Sequence, residues 1–148
     1  MRPTVTQQLA GTCSVLERIV LPEVSGTPAG DVLLDLVRNL RVLEAGWGAV
    51  LPFLHWDVTA SAAVLDDVRP EVPGPLRNRI DAALGAPLSD PLDVDVVQAR
   101  DDALRALLVE AVLVVDAGGP AHARIAAHLA ERARQYPLRM VPDVPKAG

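Results

Sequence analysis

Between the prolines of this chain, apolar residues recur at spacings of three and four, and nowhere in the alternation that marks a half-buried strand. That periodicity restricts the fold to packed amphipathic helices. Proline supplies the punctuation, with thirteen in the chain. Pro22 and Pro28 flank Ser25-Gly26-Thr27, Pro70, Pro73 and Pro75 stand together, Pro87 and Pro91 bracket Leu88-Ser89-Asp90, and Pro137, Pro142 and Pro145 mark the end.

The spacing predicts a first helix over 3–21, with Pro3 in its first turn and Val5, Leu9, Thr12, Cys13, Leu16, Ile19 and Val20 on one face. A second helix over 31–54 carries Leu33, Leu36, Leu40, Leu43, Trp47, Val50, Leu51 and Leu54 as its stripe. Pro52 has no amide donor and is expected to bend or break this helix near Gly48. Asp57 then reads as the N-cap of a short helix over 57–68. Another short helix covers 75–84, with Gly85 as its stop. Asp90-Pro91 reads as the cap and first-turn proline of a long helix to 116, and Pro120 opens a last helix to 136. The expected fold is all-α: a four-helix up-and-down bundle with two short helices inserted between the second and third long helices. The expected domain is 1–136, with 137–148 a poorly ordered, proline-containing tail.

A chain of 148 residues buries roughly 70% of its unfolded surface without help from disulfides or metals. One cysteine, Cys13, excludes an intramolecular disulfide framework and a zinc finger. The net charge of -5 argues against nucleic acid, which needs a basic face, and the nearest basic cluster is only Arg132, Arg134 and Arg139. No charged-then-apolar leader opens the chain, no apolar run reaches the ~20 residues of a membrane span, and no arginine-faced amphipathic helix suits a membrane surface. A cytoplasmic location is the expectation.

The stretch Leu107-Leu108-Val109-Glu110-Ala111-Val112-Leu113-Val114-Val115 is apolar all round the helix. Such a helix must be covered on every side, either by the insertion or by a second subunit. Val109, Val112, Leu113 and Val114 are the candidate interface. Glu110, the one charge in the run, either meets an arginine or lines a pocket.

Other candidates sit beside the stripes. Glu44 and His55 share an angular position, yet eleven residues separate them, ~16 Å along the axis, so one metal cannot take both. Asp101 lies at the edge of its stripe. His122 is placed to pair with Asp116 or to be a satisfied interfacial histidine. Trp47, His55, Trp56 and Asp57 gather where the kink is expected, a reasonable mouth for a pocket. Glu44, Trp47, His55, Trp56, Asp57, Glu110 and His122 are therefore the candidate ligand-binding residues. Chemistry beyond this is thin. There is no Glu-x-x-His, His-Glu-x-x-His, Gly-x-Ser-x-Gly, phosphate loop or dinucleotide fingerprint, and the three histidines form no i, i+4 pair. No catalytic residue, metal or cofactor is expected. The leading expectation is a non-enzymatic helical interaction protein, a homodimer or an accessory subunit of a larger complex. A bundle that binds a small hydrophobic or acyl ligand is the alternative, and a carboxylate-histidine enzyme comes third.

Overall fold

The computed structural model describes residues 2–139, of which 82% are helical and none is in a strand. Two compact units divide it: one holds the residues up to Val50 and the chain from Pro137, the other is Leu51–Tyr136. The expected tail lies outside the described residues from 140 onward.

In the first unit, Thr4 rather than Pro3 sets the start of α1 (Val5–Val15). The Gln7 amide donates to Thr4 Oγ1 at 3.2 Å, and the Thr4 amide donates back to Gln7 Oε1 at 2.9 Å, a reciprocal cap. A π turn, Leu16–Val20, leads into α2 (Leu21–Val24), which carries Pro22 in its first turn. Pro22 has no N–H, and its ring crowds the carbonyl four residues back. The wider π turn just ahead takes up that misfit, so the helical run passes its expected end and reaches Val24. The turn that follows has two demands only glycine meets. Gly26 has φ 76°, and a Cβ on Gly30 would lie 2.2 Å from the Val24 carbonyl oxygen. Thr27 Oγ1 donates to that same carbonyl at 2.6 Å and accepts from the Gly30 amide at 3.1 Å, starting the next helix.

That helix, α3 (Pro28–Val68), is 41 residues long, and it doubles back on the first, because Arg41 meets Glu17 while Arg41 and Glu44 both act on Cys13. Arg41 fixes the register: its Nε and Nη2 reach the Glu17 carboxylate at 3.1 and 2.5 Å, and its Nη1 reaches Glu44 at 2.7 Å. Cys13 and Val37 are the buried apolar side chains of this seam. Burial pushes the Cys13 thiol up, against the pull of Arg41, so it stays protonated. Gly46 is buried because the chain returns over it; a Cβ there would meet the Pro137 carbonyl oxygen at 2.6 Å.

The break expected near Gly48 does not occur: α3 is continuous through Pro52. Pro52 and Gly48 are both exposed, so the carbonyl that loses its partner can be solvated by water. Asp57 is consequently no N-cap, and 57–68 is no separate helix: Asp57 sits in mid-helix, fully buried. This helix also contains a window of mean hydropathy 1.3, long and apolar enough by composition to cross a membrane, one-third of it buried.

The second unit combines residues 51–68 of α3 with α4 (Gly74–Gly85), α5 (Val94–Val114) and α6 (Pro120–Gln135). Arg77 secures the proline-rich link, donating to the carbonyls of Arg69, Pro70 and Val72. The start of α5 falls one turn later than expected, because Asp93, not Asp90, accepts the first free amides, from Asp95 and Val96. Asp90 instead accepts from the Leu92 amide in the preceding turn. The core joins Val64, Leu65 and Val68 to Leu76 and Ile80, to Leu104, Leu107, Leu108 and Ala111, and to Ile125. The apolar run of α5 is thus divided. Its inner residues lie in the core shared with α4, and Val112 packs against that core half-buried. Val109, Leu113 and Val114 stay outside at 48%, 79% and 50% exposure.

Candidate functional site

The second unit encloses a polar centre. Asp57 and Ser61 come from α3, Asp101 from α5, and His128 from α6, all 5% exposed or less. Arg132, one turn beyond His128, brings its guanidinium in beside them. Asp57 with Ser61 and His128 with Arg132 are i, i+4 pairs, the spacing that stacks two side chains on one helix face.

Asp57 is the hub. Its Oδ2 accepts from Arg132 Nε, and its Oδ1 lies 3.4 Å from Ser61 Oγ and 3.2 Å from His128 Nε2. Ser61 Oγ and His128 Nε2 are 2.9 Å apart. Arg132 Nη2 also reaches Asp101 Oδ2 at 3.4 Å. Three of the four aromatic side chains of the chain ring this centre. The guanidinium lies 5.5 Å over the Phe53 ring and 5.8 Å over that of Tyr136, which themselves meet edge to face. Trp56 stands 5.8 Å from the His128 ring.

Two carboxyls face one guanidinium, and the electrostatics follow. Asp101 is pushed up to about 7, first by burial, then by the hydrogen bond and charge of Asp57, with Arg132 pulling the other way. Asp101 Oδ1 has no hydrogen-bond partner among the described residues. A proton on Asp101 relieves this, because the neutral carboxyl becomes a donor toward Asp57. Burial lowers the pKa of His128, against the pull of Asp57, which keeps the ring neutral. Burial works against the charge of Arg132 too, but the bonds and charges of Asp57 and Asp101 hold it protonated.

The arrangement is not a nucleophile relay. Ser61 and Asp57 meet the same ring nitrogen, so His128 cannot take a proton from one side while the carboxylate orients it from the other. Ser61 is also only 1% exposed. What the cluster can do is fix the positions of α3, α5 and α6, since removing one partner of a buried ion pair costs about 3–5 kcal/mol.

Of the residues singled out from the sequence, the structure brings Trp56 and Asp57 to this centre. His55, half-buried beside them, points away and donates from Nε2 to the Pro91 carbonyl at 2.7 Å. Glu44 and Trp47 belong to the first unit, where Glu44 pairs with Arg41 and Trp47 is 41% exposed. Glu110 meets Arg79 through both carboxylate oxygens, which holds its carboxyl below the usual range. His122 is half-buried, with no hydrogen bond to Asp116 among the described residues. Ser61, Asp101, His128 and Arg132 were not candidates for a site. Asp101 did carry a signal: with Val97, Leu104 and Leu108 it keeps the spacing of a core-facing stripe.

A second feature of this unit is an open groove of about 370 Å³ walled by Pro73, Pro75, Leu76, Arg79, Glu110, Leu113 and Val114. Its floor is apolar, and the Arg79–Glu110 pair forms its rim. Comparison with protein-family models, curated proteins and solved structures finds no match for the chain.

Proposed function

We propose that this is a non-enzymatic helical association protein, a homodimer or an accessory subunit of a larger complex. The observation that carries the reading is the exposed apolar end of α5, where Leu113 is 79% exposed beside Val109, Val114 and the α4 groove. Exposed large apolar residues clustered against a groove suit a partner helix laid into it, with Val112 at the inner edge. The expected four-helix up-and-down bundle with two short inserted helices stays part of this reading, with α3 carrying both the second long helix and the first insert, and the buried polar centre specifies how α3, α5 and α6 pack. Neither a nucleic acid nor a membrane is the partner proposed, no cofactor takes part, and a cytoplasmic setting suits a protein of this kind. A small hydrophobic ligand has less to rest on, because Asp57 is fully buried in the polar centre, His55 bonds the Pro91 carbonyl and Glu110 is held by Arg79.

Sedimentation equilibrium and native mass spectrometry of the full chain test this. We expect the wild type to exceed the mass of one chain, and Leu113→Arg to lower its weight-average mass at high micromolar concentration. A wild type that stays monomeric at every concentration overturns self-association, and a monomer retaining a small added mass favours the ligand reading instead.

A further inference from the structure

The first unit leaves uncovered much of what the sequence arranges as core. Of the face predicted for the first helix, only Cys13 is buried, while Val5 is 49% and Ile19 64% exposed. On α3, Val32 is 70%, Leu36 50% and Trp47 41% exposed, with Leu43 half-buried between them. The seam between the two helices is defined by Cys13 and Glu17 on one side and by Val37, Arg41 and Glu44 on the other. At 100° per residue, Val5 and Ile19 on α1 and Val32, Leu36, Leu43 and Trp47 on α3 are turned from that seam in the same rotational sense, while Leu34 is turned the other way and Val15 lies on the back of α1. In two antiparallel helices this places those six residues on one side of the hairpin, which is its main open apolar face.

We propose that a second copy of this chain covers this face, hairpin against hairpin, to make an intermolecular four-helix layer. Two helices form one layer and cannot enclose a core; two such hairpins can. The exposed fractions leave several hundred Å² of apolar surface, the scale of the ~800 Å² per partner that a stable interface buries. Charge points to the same occupant. Arg41 is engaged by Glu17 and Glu44, and Arg38 by Asp35, all within the hairpin. The face therefore asks for an uncharged apolar partner rather than an acidic or basic one, and its own copy is one. Along α1, an open groove of about 530 Å³ over Gly11, Thr12, Val15 and Leu16 leaves room beside the face for an approaching helix. The nine residues from 140 are a poorer fit, offering Met140, Val141 and Val144 among Pro142, Asp143, Pro145 and Lys146.

This rests on the association reading and names both the partner and the surface, with the α5 end left as the weaker contact. The test compares full-length wild type, the double variant Ile19→Arg/Leu36→Arg and the double variant Val109→Arg/Leu113→Arg by sedimentation equilibrium. Circular dichroism confirms that each is folded, which surface positions allow. The expected result is a wild-type dimer, a hairpin variant whose dimerisation is weakened roughly a hundredfold or more, and an α5 variant that remains dimeric and loses only the further association seen at high micromolar concentration. An unaffected hairpin variant beside a monomeric α5 variant overturns the inference and leaves the association reading standing. A wild type that is monomeric in buffer overturns this inference and the homodimer form of the association reading. If that monomer binds neutral phosphatidylcholine vesicles, the face belongs to a lipid surface; if it dimerises after removal of 140–148, the face belongs to the chain's own end.

Discussion

At the scale of single residues, the second unit depends on one arginine shared by two buried aspartates, with Asp57 as the hub and Asp101 the weaker partner. The pH dependence of stability should show this. The pKa of Asp101 is raised on folding from an ordinary 3.8 to about 7, so the folded chain holds a proton that the unfolded chain releases. Its contribution is complete below the unfolded value and is lost as pH rises through that interval. Lowering of the His128 pKa acts oppositely, weakening the fold as pH falls below its usual 6.5. Urea denaturation of Asp101→Asn across pH 4–8 should therefore show a stability that no longer declines toward neutral pH. An unchanged profile would assign the decline to another group. Asp57 was legible as a candidate, but not as a mid-helix residue, because a short polar residue soon after an expected helix break reads as a cap. Arg132 and His128 were not legible at all: nothing in one sequence says which solvent-facing position of α6 will meet α3.

At the scale of elements, proline separates what local chemistry fixes from what context decides. Pro120 opens α6 as the sequence expects. Pro22 and Pro52 do not end their helices, one absorbed by a π turn and the other placed where its orphaned carbonyl meets water. Interior proline costs about 3 kcal/mol relative to alanine in a helix. Pro52→Ala, at an exposed site, should then raise the stability of the chain by roughly 1–3 kcal/mol, read as a higher urea midpoint with unchanged helicity. No gain would mean that proline at residue 52 costs this helix nothing.

At the scale of the whole molecule, the two units are unequal. The second has a broad apolar core and a buried polar centre. The hairpin has Cys13 and Val37 as its buried apolar side chains. Hydrogen exchange followed by mass spectrometry should accordingly show residues 5–24 opening well before α5 and α6 in dilute protein, and slowing as concentration rises. Equal protection in both units, independent of concentration, would speak against an unsupported hairpin. The sequence by itself determined that the chain is helical, the bounds of α4 and α6, and which faces are apolar, because hydrophobic period, helix-opening prolines and glycine stops act over a few residues. Tertiary structure decided the rest: that α3 continues through Pro52, that Asp57, Asp101 and Arg132 converge, and that α4 covers only the inner side of α5. Those outcomes depend on which distant surfaces meet and on whether water reaches an unpaired group, and neither is written in local spacing.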